Sequence, residues 1–187
     1  MSEKKRRAFL ESPVGWLTID ECGGAVAEAF FLDKPPRAKP DSSPCLDECL
    51  EQLREYFSGH RRVFDLRLDP RGTAFQSQVW EAVLKIPFGR TSTYGAIARS
   101  LGNRNAVRAV GAANGRNPIP VIIPCHRVVG SSGALVGYGG GLWRKEWLLR
   151  HEGAPGYGAE GAKQMKLAFK KGRKSWALSG RAARRSR

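Results

Sequence analysis

Histidine is scarce in this sequence. His60, His126 and His151 are the only three among 187 residues. A histidine-rich metal centre is therefore excluded, and few pairings of histidine with cysteine are open. Acidic residues are also thin, with 17 Asp and Glu against 32 Lys and Arg, a net charge of +15. That imbalance favours polyanionic partners, nucleic acid first and anionic membrane second. Long apolar runs are missing: no stretch nears the roughly 18 residues that a membrane helix needs. Met1–Arg7 is basic with no long apolar run behind it, so no secretory leader is expected. Cys22, Cys45, Cys49 and Cys125 then read as thiols of a reducing compartment rather than as a disulfide framework.

The basic excess is uneven. Residues 154–187 hold ten Lys or Arg and a single acid, Glu160, in a glycine-bearing stretch with little to build a core. The segment reads as a disordered basic tail. Met165, Phe169 and Trp176 make at most an amphipathic patch that Gly172 interrupts.

Residues 1–68 read as a small α+β unit. Apolar runs over 14–19 and 25–32, parted by the turn-like 20–24, predict a β-hairpin. Residues 33–44 are loop by composition. Leu46, Cys49, Leu50, Leu53 and Phe57 then form one stripe of a helix over 44–58, with Pro44 in its first turn and Gly59 past its end. Cys45 and Cys49 share a face of it as core thiols. The alternation over 63–68 predicts a strand.

Residues 69–153 read as mainly helical. Thr73 and Gln76 have capping-box spacing ahead of the stripe Phe75, Val79 and Val83, and residues 87–89 stop that helix. Ser92 is placed to cap a short helix carrying Ile97 and Leu101. A second short helix, opened by Asn103 or Asn105, carries Val107, Val110 and Ala113 and ends at Gly115. The pair outlines a helix-turn-helix, for which an ordinary helical hairpin is the alternative. Arg104 and Arg108 without any acid favour DNA. The β-branched run 121–123 predicts a buried extended segment that delivers Cys125 and His126. A glycine-rich hairpin over 130–141 and a helix over 142–151 follow.

Cys125 beside His126 is the one arrangement that proposes chemistry. A free thiol of pKa near 8.5 is only ~3% thiolate at pH 7, so a nucleophile needs a base or a positive charge nearby. On a strand, adjacent side chains point to opposite faces, so His126 would need a bend or a water to reach the sulfur. A carboxylate behind the imidazole would orient it, and Glu152 is one candidate. The alternative for Cys125 is an inert buried thiol.

Residues from about 75 to 152 closely resemble the O6-alkylguanine-DNA alkyltransferase family. The motifs are Pro124-Cys-His-Arg-Val128, Arg108-Ala-Val-Gly111, Asn117-Pro118, Ile86-Pro-Phe-Gly89, Tyr94, Gly137-Tyr138 with Gly140-Gly141, and Lys145-Glu-Trp-Leu-Leu149. The resemblance implies an RNase H-like α+β domain ahead of a helical winged-helix/helix-turn-helix domain. It also implies a single-turnover DNA-repair methyltransferase that flips an alkylated guanine out of double-stranded DNA from the minor groove. Cys125 matches the acceptor thiol, His126 the base that reaches it through a water, and Glu152 the carboxylate holding His126. Tyr94 matches the group that protonates the leaving guanine, and Arg108 the finger that fills the vacated stack. Asn117 matches the turn between recognition helix and active-site segment. Arg104, Ala109, Gly111 and Ala112 match the DNA-facing helix, and Val128, Tyr138, Gly139 and Gly140 the pocket wall.

The resemblance further implies a monomer without cofactor, in the nucleus or in bacterial or archaeal cytoplasm. Some members hold a structural zinc through two Cys and two His. Here only Cys22 corresponds, although Cys22, Cys45, Cys49 and His60 offer an improvised set. Gly139 stands where some members have Ser, which removes one hydrogen bond to the lesion. Two rivals stay open at this point. One is a non-catalytic alkyltransferase-like lesion binder, a kind that replaces the acceptor cysteine. The other is a Cys-His hydrolase, which would need multiple turnovers and an oxyanion pocket.

Overall fold

The structure is a computed structural model that describes residues 5–157. The basic tail falls almost wholly outside the described residues. Its expected start does not: Ala154 is buried against Val129 and Leu149, and Tyr157 packs on the same cluster. The folded chain therefore runs past residue 153, because the turn after the last helix closes a small apolar patch.

The N-terminal sheet has three antiparallel strands, β1 (Arg6–Ser12), β2 (Gly15–Cys22) and β3 (Ala25–Leu32), in that order. The expected hairpin is β2–β3; β1 went unread because its basic residues interrupt a short alternation. In place, Ala8, Leu10 and Ser12 point inward while Arg7 forks onto Asp20 at 2.6 and 2.8 Å across the strand pair. Register pairs Leu10 with Leu17 and Leu17 with Phe31, so the apolar faces stack.

Helix α1 (Pro44–Ser58) lies on that face, burying Leu46, Cys49, Leu53 and Tyr56. Ser43 caps it by accepting the Leu46 N–H, and Gly59 closes it at φ 87°, a left-handed position that suits glycine. The expected strand over 63–68 is absent. Only Leu68 bridges Val26, with Val26 N donating to Arg67 O and Asp69 N to Val26 O at 2.9 Å each. Its alternating side chains instead lie over an interdomain groove, where Val63 is exposed and Phe64 packs on Tyr56.

Thr73 and Gln76 form the capping box of α2 (Ala74–Leu84). Strand β4 (Ser92–Thr93) and α3 (Tyr94–Ser100) follow, with Thr93 rather than Ser92 as the cap. A single 3-10 turn (Arg104–Ala106) opened by Asn103 leads into α4 (Val107–Gly115). Trp80 ties α2 to α4 by donating to Ala113 O at 2.9 Å. Strand β5 (Val128–Val129) pairs in parallel with β4, and α5 (Leu142–His151) is the last described helix, with Glu152 as its C-cap.

Two further expectations fail. Residues 121–123 are buried but turn rather than extend, with Val121 at φ 75°, the left-handed region that a β-branched residue seldom enters. Residues 130–141 contain no strand; Gly130 N to Ala134 O and Gly133 N to Gly130 O fold them as turns. None of the described helices is long and apolar enough to cross a membrane.

Candidate active site

The left-handed turn at Val121 sends the chain back on itself, and Asn117 locks the reversal. Its amide donates to Ile123 O at 2.8 Å and its oxygen accepts from Ile119 N at 3.0 Å. Cys125 then opens a short 3-10 turn (Cys125–Arg127), with its carbonyl accepting from Asn114 Nδ2 at 3.3 Å. Being on a turn, Cys125 and His126 need not face opposite ways. The bend that a strand would have lacked is built in.

Cys125 is 5% exposed and lines a cavity of about 300 Å³. The wall includes Asn114, Asn117, Pro120, Tyr138, Gly139 and Gly140 from the helical domain, with Ala29, Phe30, Phe31 and Asp33 from the N-terminal sheet and its following loop. Arg144 joins the two sides: Nε donates to Val14 O at 2.8 Å and Nη1 to Gly140 O at 2.6 Å. Its guanidinium lies between the rings of Phe31 and Trp143. Gly140 is required here, because a Cβ on it would meet the Phe31 ring at 2.6 Å.

Next in sequence to Cys125, His126 is fully buried, and its Nε2 lies 2.9 Å from Glu152 Oε1. An ionised carboxylate only accepts, so Nε2 carries a proton, and in the neutral imidazole that burial favours Nδ1 keeps its lone pair. Nδ1 is buried and has no hydrogen bond among the described residues. Arg127 clamps the same carboxylate through Nε and Nη2, both at 2.9 Å. Burial pushes Glu152 upward, but His126 and Arg127 outweigh it and hold its carboxyl far below the usual carboxylate range. Burial lowers His126, with Glu152 opposing. Burial likewise raises the Cys125 thiol, while Asn117 and the Lys145 charge pull it back down.

Lys145 was not singled out as a site residue, although its motif was visible. It is 0% exposed, donates to Val128 O at 2.6 Å and Val136 O at 2.8 Å, and is pushed down to about 8 by burial. Tyr56 and Arg127 were also missed. Arg127 sits inside the Pro124–Val128 motif, whereas Tyr56 lies on the buried stripe of α1, where an aromatic looks like core.

The remaining candidates spread outward. Arg104, Arg108, Ala109 and Ala112 are exposed, with Gly111 partly covered by the Tyr94 ring. Arg108 and Ala112 on the outer face of α4 and Arg116 at its C-cap recur at helical spacing, while Val110, Ala113 and Asn114 are buried. The half-buried Tyr94 donates to Val136 O at 3.3 Å. Arg104, Arg108 and Tyr94 do not line the cavity. Val128 does not either: its side chain lies in the core, and its carbonyl holds Lys145. The improvised zinc set is not assembled. No group of three His, Cys, Asp or Glu among the described residues could hold a metal, and His60 is instead paired with Ser58.

Residues 74–154 match the DNA-binding domain of 6-O-methylguanine DNA methyltransferase, and residues 5–70 match the ribonuclease-like domain of the same proteins. The chain belongs to the 6-O-methylguanine DNA methyltransferase family. Among its relatives, the methylated-DNA–protein-cysteine methyltransferase of Methanosarcina barkeri is 57% identical over 149 residues. The match covers 77% of this chain and 94% of that one. The Mycobacterium tuberculosis protein of that name is 46% identical over 147 residues, covering 76% and 89%. A crystal structure of the M. tuberculosis O6-methylguanine methyltransferase superposes with a TM-score of 0.73 at 43% identity, covering 82% of this chain and 96% of that one. The M. tuberculosis OGT in complex with DNA gives 0.71 at 45% identity, covering 80% and 94%.

Proposed function

We propose that this chain repairs alkylated DNA by moving the alkyl group of O6-alkylguanine onto Cys125, once per molecule. The observation that carries the reading is Cys125 lining a cavity of about 300 Å³, next in sequence to a buried His126 whose imidazole is paired with Glu152.

O6 of guanine lies within the duplex, so the nucleotide must leave the stack first, at about a few kcal/mol. Arg108 on the exposed face of α4 is placed to fill the gap. The small residues Ala109, Gly111 and Ala112 let α4 approach a narrow minor groove closely. Minor-groove readout is degenerate, which suits a protein that scans for damage. In the cavity, His126 Nδ1 accepts the thiol proton through a water, Glu152 steadies the resulting imidazolium, and Lys145 favours the thiolate. The sulfur attacks the sp³ alkyl carbon, the C–O6 bond breaks, and its electron pair passes to guanine, which Tyr94, outside the cavity lining and beside Gly111 of α4, protonates once its hydroxyl turns from Val136 O. A thioether results. It has no carbonyl for water to attack, so the site stays blocked and a hydrolase cycle is closed to it.

The chain acts as a monomer on double-stranded DNA, without a cofactor, in a reducing compartment such as bacterial or archaeal cytoplasm. A labelled O6-methylguanine duplex tests the reading. Stoichiometric covalent label on the protein supports it; tight binding without label supports the alkyltransferase-like lesion binder, which the presence of Cys125 disfavours.

A further inference from the structure

Glu152 takes hydrogen bonds from five donors. Its Oε1 accepts from the Tyr56 hydroxyl at 2.8 Å and from His126 Nε2 and Arg127 Nη2 at 2.9 Å; Oε2 accepts from Arg127 Nε at 2.9 Å and Gly89 N at 3.1 Å. A carboxylate offers about four lone-pair sites, so this one is saturated. Four of the donors belong to the helical domain. Tyr56 alone reaches in from α1 of the other domain, 96 residues away in sequence.

Tyr56 is fixed for that task. It is 0% exposed, its ring contacts those of Phe57, Phe64, Phe88 and His151, and its carbonyl accepts from His151 Nε2 at 2.7 Å. Among the described residues the phenol donates to Glu152 Oε1. His126 and Tyr56 therefore draw on the same carboxylate oxygen. Whatever negative charge the phenol takes up is no longer holding a proton on the imidazole.

We propose that Tyr56 is a positioning residue, by which the N-terminal domain fixes Glu152 and weakens its pull on His126. The imidazole then stays neutral and free to take the thiol proton. This rests on the alkyl-transfer reading above. The charged and titratable groups around the pair are Lys145 and His151 from α5 with Glu152 at its C-cap, Arg127 and Cys125 from the 3-10 turn, Tyr56 from α1, and Tyr138 from the glycine-rich loop. Burial, Arg127 and Lys145 all push His126 toward the neutral form, and Glu152 opposes them. Tyr56 tempers that one opposing group.

The test uses the full chain with Tyr56→Phe, and separately with 2,3-difluorotyrosine at position 56, which keeps the volume and hydroxyl but donates more strongly. The His126 imidazole is titrated by 15N NMR without DNA, and the transfer rate is followed against pH. Phe should raise the His126 midpoint and the acidic limb of the rate profile together, by roughly half a pH unit, the part of one charge-assisted hydrogen bond passed to a neighbouring donor. Difluorotyrosine should lower both. Rates above the limb should hold within about twofold, well under 1 kcal/mol. A merely structural Tyr56 would lower melting temperature and rate at every pH and leave the His126 midpoint in place, which overturns the proposal. Should Phe prevent folding, an unmoved midpoint in the difluorotyrosine protein overturns it equally. If the midpoints move but the unaltered chain transfers nothing, the coupling stands and the alkyl-transfer reading falls.

Discussion

Arg127 and Glu152 form a buried two-point ion pair, with Nε on Oε2 and Nη2 on Oε1 at 2.9 Å each and side chains 7% and 0% exposed. The pair joins the turn carrying Cys125 to the end of α5. The residue that is hydrogen-bonded to the buried His126 imidazole thus also holds the two segments together.

Glu152→Gln should therefore destabilise as well as inactivate. Removing one partner of a buried pair leaves an uncompensated charge, and a loss of about 3–5 kcal/mol is expected. The pH dependence has a definite sign. The folded carboxyl ionises far more readily than the unfolded one, so its contribution is complete above the unfolded value near 4.5 and disappears as pH falls through the depressed folded value. Urea denaturation at several pH values checks this: the gap between the two proteins should narrow in acid.

Lys145→Met tests the second buried charge. The ammonium pKa is about 8 in the folded chain against 10.5 for an unperturbed lysine. Below about 8 both states are charged and desolvation weighs fully on the fold. From there to 10.5 the unfolded chain binds more protons, so this lysine's contribution to stability rises with pH. The stability of the unaltered protein relative to the Met variant should climb by up to about 3 kcal/mol across that window. A flat difference would show the ammonium to be better solvated than its burial suggests.

Much of the fold was legible where local chemistry decides it. Thr73 with Gln76, Pro44 with Gly59, and the stripes of α1 and α2 predicted helices because capping and periodicity act within a few residues. What escaped depends on distant partners. Strand β1 is defined by its register with β2, and residues 63–68 needed a neighbouring strand that the fold does not supply. The motifs point to Cys125, His126 and Glu152, and the structure pairs the last two and sets Cys125 on a cavity wall. Val121 in a left-handed conformation was not legible, since the surrounding core imposes it against the preference of valine. Nor was Tyr56, whose role appears only when the two domains are brought together.

Arg108→Ala should slow transfer from duplex DNA roughly ten- to a hundredfold, about 1.4–3 kcal/mol, because the extruded state loses its stack filler. Transfer from free O6-benzylguanine, which needs no extrusion, should be unaffected. Single-turnover rates on both substrates decide it, and equal losses would place Arg108 in the chemistry instead.

Removing residues 158–187 deletes ten Lys or Arg and one Glu while keeping the buried Ala154 and the Tyr157 contact. DNA affinity should fall chiefly at low salt, with a shallower dependence of log affinity on log salt. Fluorescence anisotropy over a salt series measures it, and an unchanged slope would remove the tail from DNA binding.

Intact-mass spectrometry after incubation with an O6-methylguanine duplex bears most directly on the whole account. One CH₂ unit should be gained per molecule, located by peptide mapping on Cys125, absent from Cys125→Ser although that variant still binds the duplex, and unchanged by excess substrate. A chain that binds the lesion yet gains no mass, or that carries the methyl group on another residue, would contradict the mechanism.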